Sequence, residues 1–434
     1  MKKKKIVIVI VIFRIEKIGY KDFDHILPFL YFLNKNKNIK FTAKVLIFDN
    51  KIFLKKNLDP RIKYLSKMKN VDLEFLYETN FISRISNFLN FKNNSRFAGY
   101  WNAFINKIYY FLLNYHNHEM INKKKIGYEF RNSNSPLIVT LHNNDSAQKI
   151  VSQIKKINKF SKWMVLPEGT VIGDNKMLLD NHLQKENLLS NNQNYNKVDF
   201  NLVVSFRDLK EAVFRGLEAS KGHVIGSPRY CKEWLKIKSR LKLDGKDLKA
   251  NKKYKVKVLF LIPKKHTNVF HEEVLRTIDF ISSYKEIELI LLNNNFSYPK
   301  IPSFIANRNN VRLYLTAKEY STSKLIEWSD IVLHSGSGVV FESFMKKKIT
   351  VLPRYLSCNT LISEKYNAGI NLNNRDELRD LCNAAVKSID SLKNKYKKET
   401  FSSNKKFIND FVNGKSKSVP KMIEKKFQKI VNNF

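Results

Sequence analysis

Ser335, Gly336, Ser337 and Gly338 stand between an apolar run over 330–333 and an amphipathic stretch over 338–345, and one carboxylate, Glu342, follows four residues after the last glycine. Residue types in this order suit anion binding. A strand that ends in a turn of small residues and restarts as a helix brings backbone N–H groups close to a phosphate, where the helix dipole also favours negative charge. The serine hydroxyls add donors, and a carboxylate on the second turn of the helix can accept hydrogen bonds from two ribose hydroxyls. Phosphate together with ribose implies a nucleotide. An ordinary strand-to-helix turn capped by Ser335 or Ser337 would read the same way, so the place of the turn in its domain decides between the two.

The elements that position this turn are legible as alternating apolar strands and amphipathic helices. The run 6–13 is continuous and β-branched, as burial on both faces of a parallel sheet selects. Arg14, Glu16 and Lys17 close it after eight apolar residues, too few to cross a bilayer, and no small-residue cleavage site follows, so it reads as a strand and not a signal peptide. A helix over 22–34 and a strand over 43–48 complete an opening βαβ unit. Further strands are predicted at 71–75, 137–141, 163–166, 202–205 and 223–225, with helices near 101–113, 146–157 and 207–217. The Asn-rich stretch 182–200 reads as a surface loop, and the charged stretch 235–254 as a connector. Beyond it, strands at 256–262, 287–292, 311–315, 330–333 and 349–352 alternate with helices at 271–283, 322–328, 338–345 and 376–391, and a lysine-rich helical tail covers 405–434. The expected architecture is α/β: two Rossmann-like doubly wound domains, 1–234 and 255–404, joined by the linker 235–254, with a cleft between them and a C-terminal helical tail. The small-residue turn then follows the fourth strand of the second domain, at the carboxyl edge where open sheets hold ligands.

Composition narrows the partners. The chain of 434 residues is 43% apolar and 12% aromatic, ample for two cores, and its net charge is +40, from 79 Lys plus Arg against 39 Asp plus Glu. Such charge attracts anions, whether phospholipid headgroups or a nucleotide-bearing substrate, although the abundance of Lys, Asn, Ile and Phe also follows AT-rich coding. Without an arginine-rich run, a zinc-finger spacing or an RNA-binding aromatic signature, nucleic acid is not an expected partner. Cys231, Cys358 and Cys382 are scattered and odd in number, which argues against a disulfide framework or a structural zinc and fits a reducing cytoplasm. Asp22, Phe23 and Asp24 match a DxD metal signature, but they open a helix, where acidic residues favour the dipole, so no metal is expected.

The run LIEWSDIVLHSGSGVVFESFMKKKITVL resembles the donor-binding half of GT-B glycosyltransferases, and HVIGSPRY, residues 223–230, resembles the G-x-P-R turn of surface-carbohydrate and CDP-glycerol glycerophosphotransferase relatives. The likeness implies a metal-independent, cofactor-free transferase that moves a sugar from a nucleotide donor, which is a substrate, to a cell-surface polysaccharide or lipid-linked glycan. Ser335, Gly336, Ser337 and Gly338 would hold the donor phosphates and Glu342 its ribose. Lys265 and His266, just after the strand 256–262, would neutralise the leaving nucleotide. A CDP-glycerol transferase and a nucleotide-sugar 2-epimerase are the enzymatic alternatives; the second is disfavoured by the absence of a dense set of carboxylates and histidines near these motifs. A basic membrane- or RNA-binding protein without catalysis is the remaining one.

Transfer to a hydroxyl requires a base. The run WMVLPEGT, residues 163–170, resembles the acidic-Gly turn of some bacterial lipooligosaccharide sialyltransferases, which assigns that role to Glu168; a His occupies the comparable turn in glycerophosphotransferases. His142, after the strand 137–141, and His25, in the first helix, are the other candidates. Arg229 reads as an organiser of its turn. Lysines of the first domain and the tail could hold the protein on an anionic membrane face.

Overall fold

A computed structural model describes residues 5–12, 22–36, 39–50, 59–77, 128–134, 136–167, 169, 197–249, 251–263, 269–292, 301–314, 320–358 and 360–432. The chain divides into two compact units: Met1–Glu168 with Asn194–Leu202 and Ile423–Phe434, and Gly169–Gln193 with Val203–Met422.

The first sheet comprises β1 (Lys5–Ile12), β2 (Lys40–Asn50), β3 (Val71–Tyr77), β4 (Pro136–Thr140), β5 (Lys162–Val165), β6 (Phe200–Val203) and β7 (Gly222–Val224), in the order β3-β2-β1-β4-β5-β6-β7. Its helices are α1 (Phe23–Lys35), α2 (Pro60–Leu65), α3 (Tyr128–Arg131) and α4 (Asp145–Ile157), while α5 (Phe206–Phe214), which follows β6, falls to the second unit. β1 lies between β2 and β4, parallel to both, and its residues from Ile8 to Ile12 are all buried. That is why its sequence shows no alternation: both faces meet apolar layers. The expected helix over 101–113 and most of the loop 182–200 lie outside the described residues.

The second sheet comprises β8 (Val256–Leu261), β9 (Ile287–Leu292), β10 (Val311–Tyr314), β11 (Ile331–His334), β12 (Ile349–Pro353) and β13 (Ile370–Leu372), in the order β10-β9-β8-β11-β12-β13, all parallel. Period-two side chains divide between two apolar layers. Val256, Val258 and Phe260 of β8 join one core cluster with Ile287, Leu289 and Leu291 of β9, while Leu259 and Leu261 join another with Ile290 and Leu292. Helices α6 (Lys232–Arg240), α7 (His271–Ser282), α8 (Ser303–Ala306), α9 (Thr322–Trp328), α10 (Val340–Met345), α11 (Ile362–Lys365), α12 (Arg375–Lys387) and α13 (Ile389–Phe411) belong to this unit, and α14 (Val419–Asn432) closes the described chain.

Several elements depart from the sequence reading. Residues 235–254 open inside α6, whose Trp234 and Lys238 are buried. The helix expected over 376–391 stops at Lys387, because Ser388 turns extended and its hydroxyl accepts from Ser391 N, starting α13. β13 has only three residues and carries no sequence signal of its own. The segment 203–234, read with the first domain, packs with the second unit: Tyr230 lies against Phe341 with ring centroids 5.7 Å apart, and Ser227 N donates to Val412 O at 2.6 Å. The end of the tail falls to the first unit, where Phe427 meets Phe29 edge-on at 5.8 Å.

Candidate functional site

The strand order of the second sheet reverses between β8 and β11, and at such a switch point the flanking helices leave on opposite faces and open a crevice at the carboxyl ends. His334, the last residue of β11, pairs in register with Leu261, the last of β8. Ser335–Gly338 follows directly, so the turn of small residues stands at the switch point of its sheet.

Gly336 has φ +92°, a left-handed conformation that residues with a Cβ adopt only under strain. There is room for a Cβ there, since the nearest side-chain atom, Leu361 Cδ2, would lie 3.6 Å away; backbone conformation alone calls for glycine. Gly336 is exposed, and Ser337, Gly338 and Val339 are half-buried. Val340 N donates to Ser337 O at 3.1 Å to start α10. Ser335 is buried, its Oγ 3.5 Å from Ser357 Oγ on the segment after β12. Beneath the turn His334 is 1% exposed, and burial pushes its imidazole down to about 4. Its Nδ1 has no hydrogen-bond partner among the described residues.

Glu342 faces inward. It is 3% exposed; Lys346 Nζ lies 3.1 Å and Lys238 Nζ 3.4 Å from Oε1, and Ser323 Oγ donates to the same oxygen. Burial opposes its ionisation, but the two ammonium groups and the Ser323 hydroxyl outweigh it and hold the carboxyl down to about 2. Lys238 also pairs with Asp244 at 2.9 Å, and Lys346 donates to Ser323 O at 2.9 Å. The ribose role expected for Glu342 therefore meets a carboxylate whose partners are internal: it anchors α10, and with it the turn, to α6 and α9.

The G-S-P-R-Y turn is part of the same scaffold. Gly226 has φ +74°, and a Cβ there would stand 2.8 Å from Val419 Cγ2 and 2.9 Å from Val412 O. Tyr230 belongs to the cluster of Val340, Phe341, Phe344, Phe407 and Phe411, and the Arg229 guanidinium lies over the Tyr230 ring at 4.9 Å. Asp330, the aspartate of the SD pair, sits at the opposite end of β11, where its carboxylate accepts from Lys257 N at 3.1 Å and pairs with Lys393 at 2.8 Å.

Of the expected catalytic groups, His142 follows β4 at the switch point of the first sheet, between β1 and β4, and is half-buried. Thr140 Oγ1 donates to His142 O at 2.7 Å while accepting from Trp163 Nε1 at 2.9 Å, which fixes the backbone there. His25 is buried in the first turn of α1. Glu168, Lys265 and His266 lie outside the described residues. Among the described residues no three His, Cys, Asp or Glu side chains converge as metal ligands would, and no helix is long and apolar enough to cross a membrane. Lys238, Lys346 and His334 were not singled out from sequence. Two lysines within a strongly basic chain carry no signal of burial, whereas His334, immediately before the small-residue turn, could have been noticed.

No protein-family model and no curated protein sequence matches this chain. Solved structures do. A protein provisionally described as a UDP-N-acetylglucosamine 2-epimerase from Listeria monocytogenes superposes with TM-score 0.57 at 12% identity, over 99% of this chain and 97% of that one. The UDP-GlcNAc 2-epimerase of Neisseria meningitidis, solved with UDP-GlcNAc bound, gives 0.51 at 10% identity, over 99% and 100%. The chain has the GT-B fold. The wall teichoic acid polymerase TagF shares it, with TM-score 0.50 at 11% identity over 99% of this chain and 90% of that one. The GT-B expectation drawn from the S-G-S-G run thus holds for architecture, two parallel α/β sheets and a C-terminal helix, and at these identities the likeness is one of fold.

Proposed function

We propose that the chain is a transferase that takes a nucleotide-activated sugar as donor, bound at the Ser335–Gly338 turn. The observation that carries this reading is the position of a glycine-dependent, solvent-facing turn at the switch point of a sheet ordered β10-β9-β8-β11-β12-β13, with α10 held firmly behind it. Its backbone N–H groups and the Ser337 hydroxyl would take the diphosphate, with Lys265 and His266 as countercharge to the leaving nucleotide. Glu342 acts through the scaffold, keeping the turn in register. The acceptor base is assigned to the carboxyl edge of the first sheet, to Glu168 first and His142 second; the expected acceptor is a surface polysaccharide or lipid-linked glycan.

A panel of UDP, GDP, CMP and CDP donors read by thermal shift tests donor binding, because a ligand bound only by the native state raises apparent stability with its occupancy. At least one nucleotide should raise the transition, and none doing so overturns the reading. Product analysis with the responding donor then separates the enzymatic classes: epimerisation without any acceptor marks an epimerase, glycerol phosphate transfer a CDP-glycerol enzyme, and glycosyl transfer the proposed one. With the acceptor present, Glu168→Gln should abolish turnover yet keep donor affinity.

A further inference from the structure

Helix α5 is apolar on the side that ordinarily meets water. Among the described residues seven large apolar side chains are exposed, and three of them, Phe206, Val213 and Phe214, lie on this one nine-residue helix at 47%, 39% and 70% exposure. Their spacing of seven and eight residues sets them on one face. Only Ala212 of the helix is fully buried. Local propensity does not explain the arrangement, since Ser205 and Asp208 already form a capping box that starts the helix independently of those three side chains.

Cations surround the same face. Lys210 lies between Phe206 and Phe214 in sequence and shares their side, and Arg207 stands at its edge. Lys415 comes from elsewhere in the unit: at φ +62°, past the end of α13, it lies with its Nζ 5.5 Å from the centroid of the Phe206 ring. The acidic groups of the helix are engaged locally, Asp208 accepting from Ser205 N and Oγ, and Glu211 pairing with Arg215 at 2.6 Å.

The geometry points to the α5 face as a docking surface for an anionic phospholipid bilayer, with Phe206, Val213 and Phe214 entering the headgroup region and Lys210 and Lys415 meeting lipid phosphates. Exposed rings and an aliphatic side chain rimmed by cations complement an anionic interface with an apolar interior. A second copy of the chain would bring its own excess positive charge to the same face, and a nucleic acid offers no apolar layer for Val213 and Phe214. The surface is independent of the donor reading, because it lies on a separate helix and its test contains no nucleotide.

The test is co-sedimentation of the full chain with vesicles of phosphatidylcholine alone or with about one-third phosphatidylglycerol, at roughly 0.1 M salt and again at several-fold higher salt. The chain should sediment with the anionic vesicles only, and less at high salt. The double variant Phe206→Ser with Phe214→Ser should lose about tenfold or more in partition while keeping its secondary structure, and Lys210→Glu should weaken binding and its salt dependence with thermal unfolding unchanged, since Lys210 is exposed. The inference is overturned by equal binding to neutral vesicles, by undiminished binding of the double variant, by an RNA probe captured while vesicles are ignored, or by a dimer that the double variant dissociates while vesicle binding stays the same.

Discussion

Lys238 and Glu342, 104 residues apart, meet inside the second unit with Nζ 3.4 Å from Oε1, and Lys346 approaches the same oxygen at 3.1 Å. A buried ion pair is a poor guide to net stabilisation, because desolvation offsets much of the attraction, but removing one partner strands the other in a medium that cannot solvate it. Glu342→Ala takes one carboxylate from Lys238, which keeps its pair with Asp244, and from Lys346, which keeps Ser323 and, at 4.0 Å, Glu327. It should cost roughly 3–5 kcal/mol, read as a lower denaturant midpoint. A midpoint equal to that of the parent chain would show that the carboxylate anchors nothing.

Acid should destabilise the second unit in two windows. His334 has a folded value of about 4 against an ordinary 6.5, so between those values the unfolded chain binds a proton that the native state refuses, and stability falls as pH drops through 6.5 and levels near 4. Glu342, held at about 2, contributes stability that is complete above the ordinary carboxylate range and is lost as pH falls toward 2. Urea titrations between pH 7 and 2 on the parent chain and on His334→Gln separate the two, since the variant should lack the slope between 6.5 and 4 and keep the one below it. Parallel slopes would place the titrating group elsewhere.

Gly226→Ala probes the crossing of the G-S-P-R-Y turn and the segment after α13. A Cβ would press on Val412 O, a backbone atom, at 2.9 Å, and φ +74° adds strain, so the loss should reach about 2 kcal/mol or more. Circular dichroism during thermal unfolding reads it; an unchanged transition would mean that the two segments separate freely.

Much of this architecture was legible because it rests on local patterns. Continuous β-branched runs gave the buried strands, and Ser321, whose hydroxyl accepts from Lys324 N, marks the start of α9 at Thr322 as its residue type suggests. What escaped depends on partners distant in sequence. The stretch holding Lys238 is charged enough to pass for a solvated connector, and the carboxylates of Asp244 and Glu342, the second of them 104 residues away, help make its burial tolerable. Glu342 has the spacing of a ribose ligand, yet Lys238 on α6 and Ser323 on α9 turn it inward, and no local rule could show that. The turn itself was readable, since Gly336 adopts the backbone conformation for which its residue type is suited.

Titration calorimetry of the nucleotide found by the donor panel, on the parent chain and on Gly336→Val, tests the central claim most directly. A β-branched residue at φ +92° should distort the turn locally, because a Cβ has ordinary contact room there, with Leu361 Cδ2 at 3.6 Å. The account expects nucleotide binding by the parent chain and a loss of about tenfold or more in the variant, with secondary structure kept and the unfolding transition lowered by no more than the roughly 1–3 kcal/mol of local strain. A parent chain that binds no nucleotide, or a folded variant that binds as tightly as the parent, would contradict it.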